Sequence, residues 1–178
     1  MLAATERLFA SRSASEVTLD EIACEAGVSK ATVLRRFGDR AGLLLALLDE
    51  HERALQDEVL RGPPPVGPGA EPQQRLTAFL HLLLELSVTH ADLLLASETA
   101  KPLTRYRTGA YAAWHRHVAI LLAQLAPRAP AGVLAHVLLA PLTGELVTHL
   151  IRDRQTAPAD LDAALASVVA SLAEPAAS

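Results

Sequence analysis

Residues 18–37 set the strongest limit on the fold, because they read as two short helices joined by a tight turn. Thr18 and Glu21 have the spacing of a capping box, in which each residue bonds the backbone of the other, so a helix begins at Thr18. Gly27 can adopt the left-handed conformation that ends a helix, and Ser29 is a favourable N-cap for a second helix. The pattern therefore predicts a helix-turn-helix near the N-terminus.

The second predicted helix has one side that faces the core and another that is small and basic. Val33 and Phe37 lie four residues apart and face the core. Angular counting places the other side chains opposite them or on the flanks: Ala31, Thr32, Leu34, Arg35 and Arg36. Such a surface suits the major groove of DNA, where Arg35 can bind guanine through two hydrogen bonds and Leu34 can contact a thymine methyl group. A purely structural helix would gain nothing from adjacent arginines opposite its buried side.

The same stretch and its surroundings resemble the DNA-binding domain of TetR-family transcriptional regulators. The resemblance covers about Leu2 to Leu48, and its most specific part is the Ala-Gly-Val-Ser run at 26–29, followed at fixed spacing by a phenylalanine and a basic residue. The residues that carry it are Thr18, Ile22, Ala23, Ala26, Gly27, Val28, Ser29, Thr32, Val33, Phe37, Arg40 and Leu43. Leu34 departs from the family, which usually has a DNA-contacting tyrosine there, so contacts are expected to shift toward Arg35 and Arg36.

The resemblance implies an all-α protein with two parts. An N-terminal three-helix helix-turn-helix head at 1–48 is joined by a long helix to a C-terminal helical ligand-binding and dimerisation bundle at 49–178. The implied protein is a homodimeric repressor, held together by the last two helices, that leaves palindromic double-stranded operator DNA when a small apolar or amphipathic effector binds. The expected DNA contacts are Thr18, Ser29, Lys30, Ala31, Thr32, Leu34, Arg35, Arg36 and Arg40. Among them, Lys30, Arg36 and Arg40 are expected to meet phosphates.

Composition agrees with a helical, cytoplasmic DNA-binding protein. Hydrophobic residues make up 51% of the chain and aromatic residues only 3%, so the core is built from leucine, alanine and valine, which favours helices. The net charge of −4 does not suggest a DNA-binding protein, but basic residues cluster between Lys30 and Arg40, and a local patch is sufficient. The single cysteine, Cys24, excludes an intramolecular disulfide and is expected to be a small buried residue rather than a redox sensor. The N-terminal residues lack the pattern of a signal peptide.

The rest of the chain reads as further helices around one irregular linker. Residues 62–72 contain so many prolines and glycines that they cannot form a helix or an interior strand. Asp39 can cap a long helix before this linker. Apolar residues at helical spacing predict helices around 76–87, 91–99, 114–125, 133–151 and 158–172. The apolar segment 133–151 is long enough to span a membrane, but its polar residues, Pro141 and Gly144 favour a kinked helix buried in protein. Excess apolar surface on the last two helices predicts an interface between subunits.

The effector pocket is expected in the C-terminal bundle, lined by leucines and a few polar groups. The candidate polar residues are His81, Glu98, Tyr111, Trp114 and His117. Tyr111 and Trp114 are favoured because aromatic residues are rare in this chain and a buried indole N–H needs a partner, with core packing as the alternative role for both. His115 and His117 point in different directions on one helix, so no metal site is predicted, and no cofactor is expected.

An enzyme is not predicted either, because the sequence has no glycine-rich phosphate loop, no His-Glu-x-x-His motif and no nucleophile with a nearby base. Two alternatives remain open at the level of the sequence. One is a small helical ligand carrier or enzyme with no DNA operator, and the other is a DNA-binding protein that responds to no effector.

Overall fold

The computed structural model describes residues 1–9, 11–12, 16–100, 103 and 105–173, and these residues form helices and turns without a strand. The helices are α1 (Leu2–Phe9), α2 (Leu19–Glu25), α3 (Lys30–Phe37), α4 (Arg40–Arg61), α5 (Pro72–Thr89), α6 (Ala91–Ala100), α7 (Gly109–Leu125), α8 (Ala131–Leu139), α9 (Gly144–Thr148) and α10 (Pro158–Ala173). Short 3-10 turns lie at Arg105–Arg107 and Ala140–Leu142, and a π-helical turn lies at His149–Asp153.

The first three helices form a head in which local capping matches the sequence. The Thr18 hydroxyl accepts from the Glu21 backbone N–H, and the Glu21 carboxylate accepts from the Thr18 N–H, so the capping box is present. Gly27 has a φ of 65°, as expected for a left-handed helix end. Ser29 caps α3 by accepting from the Thr32 N–H. These caps fix the angle between α2 and α3 and therefore the side of α3 that is exposed.

Two hydrophobic cores fill the molecule, and a third cluster joins them. The head core contains Val17, Ile22, Ala23, Val33 and Leu43. The larger core lies among α4, α5, α7, α8 and α10. The joining cluster consists of Leu44, Leu47 and Leu93, against which Leu2 and Phe9 of α1 pack. Helix α4 therefore contributes to all three clusters, since Leu43 and Leu55 belong to the two large ones.

The predicted single kinked helix at 133–151 is broken, and it is not buried on all sides. Ala131–Leu142 and Gly144–Asp153 are bent by 42° relative to each other. Pro141 lacks the N–H that a continuous helix needs, and Gly144 lies so close to α6 that a Cβ there would overlap the Leu94 and Leu95 backbone. Val133 and Val137 are 62% and 57% exposed, so one copy of the chain leaves this side of α8 uncovered.

The burial of Cys24 differs from the expectation. Cys24 is exposed, so the expectation that it is buried is wrong. Ile22 and Ala23 take the buried side of α2, and a residue two positions after Ile22 is turned about 200° away from it.

Among the described residues, no single helix is long and apolar enough to cross a membrane, and the bent pair Ala131–Leu142 and Gly144–Asp153 passes that test only by length and composition.

Candidate nucleic-acid interface and ligand cavity

Helix α3 presents its basic side to solvent. Val33 is completely buried in the head core and Phe37 is half-buried against it. On the other side Ala31, Leu34, Arg35 and Arg36 are exposed, and Thr32 is half-buried. The Arg36 guanidinium lies 5.4 Å from the centroid of the Phe37 ring. The two adjacent arginines are thus displayed outward, which is the arrangement that contact with DNA requires.

Thr18 and Ser29 are occupied as helix caps. Thr18 bonds Glu21 through both its backbone N–H and its hydroxyl, and Ser29 Oγ lies 2.9 Å from Thr32 Oγ1. Both are exposed beside the start of a helix, where backbone N–H groups and the helix dipole favour an anion such as phosphate. Arg40 is half-buried at the start of α4. These residues can position the head on a backbone without reading bases.

The carboxylates of α2 are paired with basic residues, a feature that the sequence analysis did not find. Lys30 Nζ lies 2.8 Å from Asp20 Oδ2, so this predicted phosphate ligand has an acidic partner within the head. Arg12 lies 2.6 Å from Glu21, and this hydrogen bond, with those from Thr18, lowers the pKa of Glu21 to about 2. The pairs join residues of different elements, so no helical spacing could have revealed them.

A cavity of about 280 Å³ lies between α4, α5 and α7. Its lining residues are Gln56, Val59, Leu60, Phe79, Ala113, Trp114, Arg116, His117 and Ile120. Phe79 and Trp114 are buried, whereas Leu60 and Ile120 are 64% and 49% exposed and border the opening. The volume is near the lower end of the range for small-molecule sites, so the cavity suits a small, largely apolar ligand.

Two of the five predicted effector residues, Trp114 and His117, line this cavity. The His117 ring meets the Phe79 ring edge-on at 4.9 Å between centroids. Burial, and then the nearby charge of Arg75, lower the pKa of His117 to about 4, so the imidazole is neutral at pH 7. Trp114 Nε1 and His117 Nε2 are buried without a hydrogen-bond partner, and each such buried group costs about 1–3 kcal/mol.

The other three predicted effector residues lie elsewhere. Glu98 accepts hydrogen bonds from Arg105 and from the backbone N–H of Gly144, both at 2.9 Å, so it ties α6 to α9. The Tyr111 hydroxyl lies 2.7 Å from His136 Nδ1 and joins α7 to α8. His81 is exposed on α5, 3.0 Å from Asp162 of α10. The structure therefore brings only Trp114 and His117 together at this cavity, while Glu98 meets Trp114 at a separate, smaller space.

A buried carboxylate borders a second space that shares Trp114 with the cavity. Glu52 of α4 is only 8% exposed, and its pKa is raised to about 7, first by burial and then by Asp49. It borders a space of about 40 Å³ that Glu98, Arg105 and Trp114 also line. Nothing in the sequence marks Glu52, because it lies in a strongly charged stretch of an amphipathic helix.

Known proteins are similar to this chain both in the sequence of the head and in the fold of the whole chain. Residues 1–47 match the family described as bacterial regulatory proteins, tetR family. A TetR-family transcriptional regulator from Rhodococcus sp. has a similar structure, with a TM-score of 0.69 and 21% identity over 97% of this chain and 96% of that one. The match to this family is therefore one of the head, and the likeness of the rest of the chain is one of fold.

A second solved structure shows how far the likeness in fold extends. A transcriptional regulator from Rhodococcus sp. Rha1 has a TM-score of 0.72 and 22% identity over 96% of this chain and 92% of that one. No curated protein matches the sequence. The solved structures show the all-helical fold, and the family match of residues 1–47 supports a DNA-binding head.

Proposed function

We propose that this protein is a homodimeric, ligand-responsive repressor of the TetR family. In this proposal α3 binds a palindromic operator, and a small apolar or amphipathic effector in the cavity between α4, α5 and α7 lowers operator affinity. One observation carries the proposal: helix α4 (Arg40–Arg61) belongs to both regions. Its first half packs in the head core through Leu43, and its last turns line the cavity through Gln56, Val59 and Leu60.

The shared helix gives a physical route from ligand to DNA. A 22-residue helix is about 33 Å long and moves nearly as a rigid rod. An effector that contacts the end of α4 differently in two arrangements of the body would shift the population between them. The same shift would displace the head, because Leu44 and Leu47 of α4 pack against Leu2 and Phe9 of α1.

The head residues divide by the contacts that they can make with DNA. Arg35 and Leu34 are exposed at the centre of the outward side of α3, and we assign them to bases. Lys30, Arg36 and Arg40 flank them and are assigned to phosphates. The remaining assigned contacts are Thr18, Ser29, Ala31 and Thr32. The cytoplasm is the expected compartment, since a regulator acts where its DNA is.

Exposed apolar residues support the homodimer. Four apolar residues of the last helices are exposed: Val133 and Val137 of α8, Leu146 of α9 and Val168 of α10. They are exposed even though a helix of a small protein can turn its apolar side chains toward the interior. A second copy that covers this face would remove their apolar surface from water. It would also hold two copies of α3 at a fixed distance, as the reading of a palindrome requires.

Selection from random DNA, followed by fluorescence anisotropy, tests the proposal. We expect a palindromic site, affinity that falls steeply with salt, and weaker binding when a cavity ligand is added. A chain with no sequence preference and no salt dependence would be a ligand carrier or an enzyme instead. Operator affinity that stays constant at ligand saturation would identify an effector-independent DNA-binding protein.

A further inference from the structure

The polar residues that the structure describes around the cavity are Gln56, Trp114, Arg116 and His117, so they include a cation and no carboxylate. The Trp114 Nε1–H can only donate, and it is buried without a partner. Arg116 lines the cavity and is exposed, and the Gln56 amide can both donate and accept. Arg75 lies close enough for its charge to act on His117. Of the described lining residues, none is aspartate or glutamate.

This lining discriminates between ligand charges. A ligand oxygen that accepts a hydrogen bond would satisfy the buried Trp114 N–H, which an ammonium group cannot do. An anionic oxygen would gain additionally from Arg116, which forms no ion pair with the described part of the chain. Glu52 and Glu98 do not line the cavity but a separate space of about 40 Å³ that also touches Trp114, which has room for a few water molecules at most.

We propose that the cavity binds a small apolar molecule that carries a carboxylate or another anionic group, with Arg116 as the residue that selects the anion. The apolar part lies against Phe79, Val59 and Ile120, and the anionic group lies toward Arg116 and the Trp114 N–H. This inference rests on the proposed function, because it names the chemical class of the effector for the same cavity.

The test uses three probes of one shape: phenylbutyrate, phenylbutanol and phenylbutylammonium. Trp114 is the only tryptophan in the chain, so its fluorescence reports binding at the cavity without DNA. We expect phenylbutyrate to bind about three- to fivefold more tightly than phenylbutanol, since the arginine is exposed to solvent. Phenylbutylammonium is expected to bind more weakly than both.

Three variants make the test specific. Arg116→Gln should remove the preference for phenylbutyrate and leave the affinity for phenylbutanol unchanged. Arg128→Gln, in the exposed turn after α7, is the matched control and should keep the preference. Ala113→Leu should weaken all three probes, because Ala113 lines the cavity and is half-buried. Circular dichroism confirms that each variant is folded.

Several outcomes would overturn the inference. These are binding of phenylbutanol or phenylbutylammonium as tight as that of phenylbutyrate, an unchanged preference in Arg116→Gln, or no fluorescence response to any probe. The proposed function fails in a different measurement: operator affinity that does not change although Trp114 reports a bound probe. The two failures are therefore distinguishable.

Discussion

At the scale of single residues, Arg35 and Arg36 have different expected roles although they are adjacent. Arg35→Ala should weaken operator binding by about 1–3 kcal/mol and change binding to random DNA little, because it removes a base contact. Arg36→Ala should weaken both about equally, because phosphate contacts carry no sequence information. Anisotropy titrations on both DNAs measure this, with Arg128→Ala as a control away from the head. Equal behaviour of the two variants would contradict the assignment.

The buried carboxylate of Glu52 makes stability depend on pH. Its pKa rises from 4.5 to about 7 in the folded protein because burial disfavours the charged form. Below pH 4.5 both the folded and the unfolded chain hold the proton, so there is no penalty. The penalty on the folded state grows as pH rises from 4.5 to about 7, where the unfolded chain has lost the proton and the folded chain keeps it, and it is complete above pH 7. Glu52→Gln should therefore raise the free energy of unfolding by about 2 kcal/mol at pH 8 and by much less at pH 5.

Urea unfolding at both pH values measures this effect of Glu52. The control is Glu50→Gln, at an exposed position of the same helix, which should change stability by less than about 0.5 kcal/mol. A gain from Glu52→Gln that is equal at pH 5 and pH 8 would show that the carboxylate is not penalised by burial.

At the scale of elements, the sequence predicts what short-range rules determine. The caps Thr18, Ser29 and Asp39 are all present, because a cap depends on residues only two or three positions away. The buried series of α5, including Phe79 and Leu83, also agrees with helical spacing. These short-range rules predicted most of the helices and the exposed side of α3.

Contacts between distant elements explain what the sequence did not predict. The pairing of Lys30 with Asp20 depends on the angle between α2 and α3. Among the predicted effector residues, His117 and Tyr111 lie on the same helix but face different neighbours. Their spacing along α7 already turns the two side chains about 120° apart, but it does not tell which helices surround each side of α7.

The contact of Gly144 with α6 gives a test at this scale. Gly144→Ala should destabilise the protein by about 1–3 kcal/mol, because its Cβ would overlap the backbone of Leu94 and Leu95, which cannot move as easily as a side chain. Gly132→Ala in α8 is the matched control, since its Cβ would meet nothing within 4 Å. It should be neutral or stabilising by about 0.5–1 kcal/mol. Urea midpoints measure both, and a loss as large in Gly132→Ala would contradict this account.

At the scale of the whole molecule, the head and body meet at a contact that includes charged groups. His51 of α4 stacks on His90 at 4.1 Å between ring centroids, and His51 Nε2 lies 3.0 Å from Glu6 Oε1 of α1, without the alignment of a hydrogen bond. Burial, and then His51, lower the pKa of His90 to about 4, so His90 is neutral at pH 7. Together with Leu93 beside it, this contact packs α1 of the head against α4 and the start of α6.

A regulator of this size reads a palindrome only if two copies associate, and the apolar side of α8 is the expected interface. Val137→Glu would place a charge where the partner's apolar surface is expected, so it should produce a monomer and reduce operator affinity by more than tenfold. Sedimentation velocity measures the mass, which should fall from twice 18.9 kDa to 18.9 kDa. Ala123→Glu, at an exposed position of α7, should leave the dimer intact. A dimer that survives Val137→Glu, or dissociates equally in Ala123→Glu, would place the interface on another face.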